Sequence, residues 1–185
     1  MSLRNTLILI VVLVLMGAGL YVNKVLRTPP SEPKPPEVWS VKEEDITHID
    51  LRMPQIDKSA SFVLGEDGYW HFDNAQKSPV DLKRWGGIVL LVSSPQSRRL
   101  LAEKANDLSE YGLVQPQMIV SLTVKKQPNV EIHIGDKTPS GEAYFVMVQG
   151  HDPVYLLDST WFDVYERLVK EPPKPPFERM KTVKE

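Results

Sequence analysis

The chain has 185 residues, 42% hydrophobic and 25% charged, which suits one ordinary globular domain with a helix to spare. A net charge of −2 and a pI near 6.1 argue against nucleic acid as a partner, because phosphate binding needs a basic field. The absence of cysteine removes disulfides, thiolate metal sites, a cysteine nucleophile and a lipidated cysteine anchor together.

The first element is the run LILIVVLVLMGAGLYV, Leu7 to Val22, with no charged or strongly polar residue over 16 positions. A helix apolar on every side has no polar face to show water. Extended to Leu26, the run reaches about 30 Å, the thickness of bilayer hydrocarbon. Residues 1–27 therefore read as a cytoplasmic stub and an uncleaved signal-anchor, the nearer competitor being a cleaved signal peptide with its small-residue site at Gly17–Gly19. Tyr21 stands at interface depth and is one candidate interface residue. Positive charge flanks both ends, with Arg4 on one side and Lys24 and Arg27 on the other. Orientation thus rests on signal-anchor behaviour, which expects a single pass through the cell inner membrane and a periplasmic bulk.

Prolines punctuate the rest of the chain. Five of the sixteen fall in TPPSEPKPPE and four in EPPKPPF. Such stretches are extended, stiff and without internal hydrogen bonds. They mark a linker over 28–37 and a mildly basic tail over 171–185, leaving 38–170 as the folded part. Trp39, beside the linker, is the second candidate interface residue.

Inside the folded part, strand patterns dominate. ITHIDLRM places Ile49, Leu51 and Met53 on one face by alternation. ASFVLGEDGYWHFD reads as a hairpin, with Phe62 and Leu64 leading in and Trp70 and Phe72 leading out. The period then changes in SPVDLKRWGGIVLLV, which predicts a helix capped by Ser78, started by Pro79 and carrying Asp81 at the capping-box position. Its apolar stripe would be Leu82, Trp85, Val89 and Val92, and Gly86 and Gly87 would each weaken it by about 1 kcal/mol relative to Ala.

The second set of strands begins at MIVSLTV, where either Ile119 or Val120 leads the buried face. VEIHIGD alternates Val130, Ile132 and Ile134, AYFVMVQG alternates Tyr144, Val146 and Val148, and PVYLLD closes the series. Gln127, Pro128 and Asn129 supply one turn, and Pro139 and Gly141 the next. DSTWFDVYERLVK is an amphipathic helix with Trp161, Val164, Tyr165 and Leu168 on one stripe and Asp158 or Ser159 as its cap. The fold class expected is α+β: a transmembrane helix, then a β-rich domain of antiparallel strands with two packed helices. The order strands, helix, strands, helix reads as two diverged halves.

The elements YGLVQP, VEIHIGDKTPSGEAYF and VYLL, with DGYW upstream, resemble the DUF4340 family over about residues 46 to 168. The matching positions are Tyr111, Gly112, Leu113 and Pro116; Ile134, Gly135, Asp136, Thr138, Pro139 and Gly141; Tyr144; and Val154, Tyr155 and Leu156. The family is named for an unknown function. The resemblance implies an extracytoplasmic, membrane-tethered domain, some members accompanying ABC-type export and gliding-motility components, and it brings no catalytic residues. Its signature positions read as structural turns: Gly112, Pro116, Gly135, Asp136, Pro139 and Gly141.

Reactive motifs are otherwise sparse. His48, His71, His133 and His151 form no ligand pair at metal-binding spacing, and no Gly-x-Ser-x-Gly, phosphate-loop or dinucleotide motif occurs. No catalytic residue, metal or cofactor is expected. The function expected is a non-enzymatic accessory or scaffold subunit, partnered by the lipid bilayer and by other integral membrane subunits of a transporter, respiratory or photosynthetic assembly. The alternative is an extracytoplasmic module binding a small molecule or envelope polymer between its two halves.

Overall fold

A strict two-residue alternation over seven strands demands one buried face and one freer face, and a computed structural model places them. It describes residues 3–26 and 36–175, and the chain divides into two units between Lys34 and Pro35. The linker up to Pro35, Arg27, the side chain of Lys24 and the tail beyond Pro175 lie outside the described residues.

The first unit is a helix, α1, Leu3–Leu26. Its described apolar side chains are exposed, among them Leu7, Ile8, Val11, Leu13, Leu15, Leu20 and Tyr21. Side chains are described without a break only from Ile10 to Tyr21, about 18 Å of helix against about 30 Å of hydrocarbon. Among the described residues, no helix is long and apolar enough to cross a membrane.

Among the described residues the second unit is built on eight strands: β1 Ile46–Met53, β2 Lys58–Leu64, β3 Trp70–Phe72, β4 Ser97–Ala102, β5 Met118–Val124, β6 Val130–Lys137, β7 Ala143–Val148 and β8 Val154–Asp158. They form one sheet in the order β3-β2-β1-β5-β6-β7-β8-β4, every pair antiparallel. The two expected strand sets are therefore not separate halves. β1 and β5 pair from Ile46↔Val124 to Arg52↔Ile119, so the seam between them is closed by hydrogen bonds.

One face of this sheet is the core. Ile49, Leu51 and Met53 are buried as expected, and in β5 the buried set is Met118, Val120, Leu122 and Val124, leaving Ile119 on the other face. The helix α4, Ser159–Lys170, lies on β1, β2, β7 and β8. Asp158 caps it, its carboxylate accepting from Thr160 N at 3.0 Å. Its buried residues are Phe162, Tyr165, Leu168 and Val169, so the stripe is rotated from the expected one: Phe162 stacks on Tyr144 at 4.1 Å, while Trp161 and Val164 are half-buried. Each such side chain taken fully out of water contributes about 1.5–3 kcal/mol.

The single helix expected after β3 is two short ones, α2 Leu82–Trp85 and α3 Ile88–Ser93. Gly87 sits at φ 80°, a conformation glycine adopts without strain, so the Gly86–Gly87 pair breaks the helix instead of merely weakening it. The cap is Asp81, accepting from Lys83 N at 3.0 Å. Ser78 and Pro79 are used otherwise: Ser78 O accepts from Phe72 N and Pro79 bridges His71, which covers the outer edge of β3. The break lets Trp85, Ile88 and Val92 point inward together and leaves Leu82 exposed. Trp85 joins Phe62, Phe72 and Trp70 in one aromatic cluster, with ring centroids 4.6 Å from Phe62 and 5.4 Å from Trp70.

β4 has no counterpart among the strands expected from alternation. SRRLLA lacks that pattern, and its pairing with β8 is interrupted by two register shifts. It forms the edge opposite β3, so the chain from β3 to β4 traverses the whole width of the sheet. The turn between β5 and β6 is also displaced, to Lys125–Lys126 with Lys126 at φ 59°.

Candidate functional site

Alternation that sends Ile49, Phe62 and Val120 into the core sends their neighbours to the opposite face. There the register lines up His71, Val63, His48 and Thr123 across β3, β2, β1 and β5. The next row is Ser61, Asp50, Ser121 and Glu131, and the one beyond it is Ser59, Arg52, Ile119, His133 and Met147. Three histidines, four hydroxyls and two acids thus share one surface of the sheet.

His48 has the richest surroundings. Its Nε2 lies 3.0 Å from Ser61 Oγ, 3.3 Å from Asp73 Oδ2 and 3.6 Å from Asp50 Oδ2. A serine, a histidine and an aspartate together invite comparison with a nucleophilic triad. The triad requires the acid on the ring nitrogen opposite the one facing the hydroxyl, where it holds the tautomer. Here hydroxyl and both acids crowd the same nitrogen, so no carboxylate orients the imidazole as a base toward Ser61.

His71 is held from both sides. Its Nδ1 is 2.9 Å from Lys77 O, and its Nε2 is 3.0 Å from Asp67 Oδ2. Asp67 accepts from Tyr69 N and then from His71, which together hold its carboxyl below the usual range. Asp67 and His71 line a shallow cavity with Val63, Leu64, Gly65 and Lys77. His133 pairs with Glu131 at 2.8 Å, and His151 is exposed. Among the described residues, no group of three His, Asp or Glu side chains is placed to hold a metal ion.

The other half of this face is covered by the connection from β4 to β5, residues 103–117. Asp107 accepts from Ser109 N at 2.8 Å, which starts a 3₁₀ turn over Leu108–Tyr111, and the Ser109 hydroxyl first and its N–H second hold the Asp107 carboxyl below its usual range. Tyr111 meets Phe145 edge-on at 5.1 Å, and Phe145 points away from the core that Tyr144 and Val146 enter. Leu113 and Pro116, within the crossing chain, are buried.

Here the signature positions converge. Gly112 ends the turn at φ 66°, and a Cβ on it would run into the Asp136 carboxylate. Gly135 is no turn residue: it is buried inside β6, where a Cβ would collide with the Tyr111 carbonyl oxygen and lie 3.0 Å from Gly112 C. Asp136 is likewise in β6, beside an irregularity in its pairing with β7, and accepts from Gln117 Nε2 at 3.1 Å. Gln117 N donates to Ile134 O at 2.9 Å. The Tyr-Gly-Leu and Ile-Gly-Asp elements, more than twenty positions apart, are thus the two sides of one backbone contact. Pro139 and Gly141 do form the expected turn, with Gly141 at φ 75° and its N donating to Thr138 O at 2.8 Å.

The two candidate interface residues separate. Trp39 is buried at 6% exposure, its Nε1 donating to Val92 O at 2.8 Å, so it is a core residue and not an interface one. It enters the core because residues 36–41 are pinned to the end of α3 and the start of β4: Val41 N donates to Ser93 O and Ser97 N to Pro36 O. Tyr21, by contrast, is 71% exposed. The outgoing chain is pinned too. Asp81 N donates to Pro173 O, and Arg84 donates to Glu171 O at 2.7 Å and to Pro172 O at 3.2 Å. At the β4 edge, Arg98 joins Glu142 and the helix cap Asp158. Thr160 N first, and then Arg98, lower the Asp158 carboxyl below its ordinary range.

The family model described as a domain of unknown function, DUF4340, matches residues 70–171, from β3 through α4, and leaves out β1 and β2. No curated protein and no solved structure matches the chain.

Proposed function

The chain belongs to the DUF4340 family, a domain of unknown function, and from that premise we propose a single-pass membrane-anchored accessory or scaffold subunit of a larger membrane complex. On this reading α1 lies in the inner membrane and the sheet domain works outside the cytoplasm. Its partners are the bilayer and other integral subunits, and its work is contact, not turnover.

The observation that carries the reading is the surface of α1. Leu13, Leu15, Met16 and Leu20 are all more than 65% exposed, on a helix whose sequence from Leu7 to Val22 holds no charged or strongly polar side chain to face water. A surface of that size and uniformity calls for lipid or for other apolar helices. The head supports the reading in a second way. Its incoming and outgoing segments are both strapped to the α2–α3 layer by main-chain hydrogen bonds, so pull on either end reaches the core directly.

The small-molecule alternative depended on a cleft between two halves. The pairing of β1 with β5 along their length favours the scaffold reading over that alternative.

Two measurements test the proposal. Removing residues 1–27 should move the chain from the alkaline-washed membrane fraction into solution with its sheet intact. Mild-detergent extraction at native expression should recover the full chain with integral membrane proteins. Recovery of the chain alone, or its presence in the soluble fraction before truncation, would sink the reading.

A further inference from the structure

We propose that the pit between α2, α4 and the 171–175 strap receives one apolar side chain from an acidic segment of a partner protein. This deepens the scaffold reading by naming a contact point and the chemistry it selects. The floor of the pit is Ile88, Val164, Leu168 and Pro173, and its rim is Arg84, Arg167 and Glu171. Its volume, about 170 Å³, is well below the roughly 300–1,000 Å³ of sites that enclose a whole small ligand. It has room for one side chain.

The pit is built, not merely left over. Pro173 is buried, and the strap that carries it is held by the main-chain bond from Asp81 N to Pro173 O and by the two bonds from Arg84. That fixes one wall before any partner arrives. Arg84 spends only part of its five-donor fork on the strap. Arg167 is exposed and pairs with no acid among the described residues. Neighbouring Lys170 is already held by Glu166 at 2.7 Å. The rim therefore offers two guanidinium groups against one carboxylate, Glu171. An apolar side chain flanked by carboxylates matches both floor and rim, since guanidinium takes a carboxylate in a fixed two-pronged geometry. A basic segment would meet like charge at the rim.

The test uses the full chain in detergent micelles, with labelled Ile, Leu and Val methyl groups observed by NMR. Three short probes are titrated: acetyl-Glu-Leu-Glu-amide, acetyl-Lys-Leu-Lys-amide and acetyl-Glu-Ala-Glu-amide. The acidic leucine peptide should shift the methyls of Ile88, Val164 and Leu168. Replacing its leucine by alanine should weaken binding about tenfold or more, the scale of one buried aliphatic side chain. Arg167→Gln should strongly weaken the shifts with little change in the unfolding temperature, because that side chain is exposed and the replacement is neutral.

Equal shifts with the lysine peptide, or no shifts at millimolar peptide, would overturn the proposal. So would shifts of the same methyls on truncating the chain after Pro175, which would make its own tail the occupant. Shifts produced by phosphatidylglycerol vesicles but by no peptide would assign the rim to lipid and overturn it too. None of these outcomes touches membrane fractionation or complex recovery, so the scaffold reading stands or falls separately.

Discussion

Phe62 and Val63 are neighbours in β2 with opposite fates. Phe62 is fully buried among Phe72 and Trp85, whereas Val63 is half-exposed on the face that also carries His48 and Thr123. The whole sheet repeats this contrast. One face is sealed by α4, α2 and α3 and is apolar throughout; the other is polar toward β3 and covered by a crossing loop toward β8. The difference teaches that the two faces are stabilised in unlike ways. The first depends on packed volume, the second on a few close backbone approaches.

The contrast can be broken most severely in the core. Phe62→Ala should cost about 3–5 kcal/mol, while Val63→Ala one position on should cost under about 1 kcal/mol, because only the first leaves a cavity. Urea unfolding of the two variants reads the ratio, and equal losses would mean that the open face is covered in solution.

Gly135→Ala tests the second mode of stabilisation. The added Cβ meets main chain at Tyr111 and Gly112, which cannot swing aside as a side-chain tip would, so a loss of about 1–3 kcal/mol or more is expected. Loss of the Tyr111 contact should appear as faster hydrogen exchange across 108–117 before the core strands are affected.

Asp158→Ala removes a helix cap at the boundary of the two faces and should cost about 0.5–2 kcal/mol at neutral pH. The sign with pH follows from the cause. A carboxyl held below its ordinary pKa contributes stability that is fully present above the unfolded value near 3.8. That stability fades as the pH falls through the lower folded value. The gap between wild type and variant should therefore narrow in acid below that range, and a constant gap would place the effect elsewhere.

The smallest effect is expected at Tyr165. Its hydroxyl is buried with no hydrogen-bond partner among the described residues, and burial alone pushes its pKa upward. Tyr165→Phe removes an unsatisfied polar atom at nearly constant volume. It should be neutral or stabilising by up to about 1 kcal/mol, read as an unchanged or higher unfolding temperature.

Much of the sheet was legible in advance, and the reason is visible at individual residues. Ile49, Leu51 and Ile132 alternate with polar neighbours, and a period of two has only one geometric meaning. β4 was not legible, because Arg98, Arg99, Leu100 and Leu101 come in like pairs and its irregular pairing with β8 leaves no alternation to read. The break at Gly87 was visible as a weakness but not as a stop, since a glycine declares freedom and only the fold decides how it is used. Trp39 looked like an interface residue from its place beside the prolines; Val92 O, more than fifty positions later, made it core. Within the candidate site, spacing could not bring His48, Ser61 and Asp73 together, because they belong to different strands and loops.

By itself, then, the chain's order of residues settled some local choices: an apolar run at the N-terminus, most of the strand faces, the cap at Asp158 and the turn at Pro139 and Gly141. These depend on neighbours within a few positions. Strand order, the closure of β1 against β5, and the meeting of Gly112 with Gly135 were decided only in three dimensions. They depend on which distant surfaces bury one another best, and on where two backbones come too close for a side chain to stand between them.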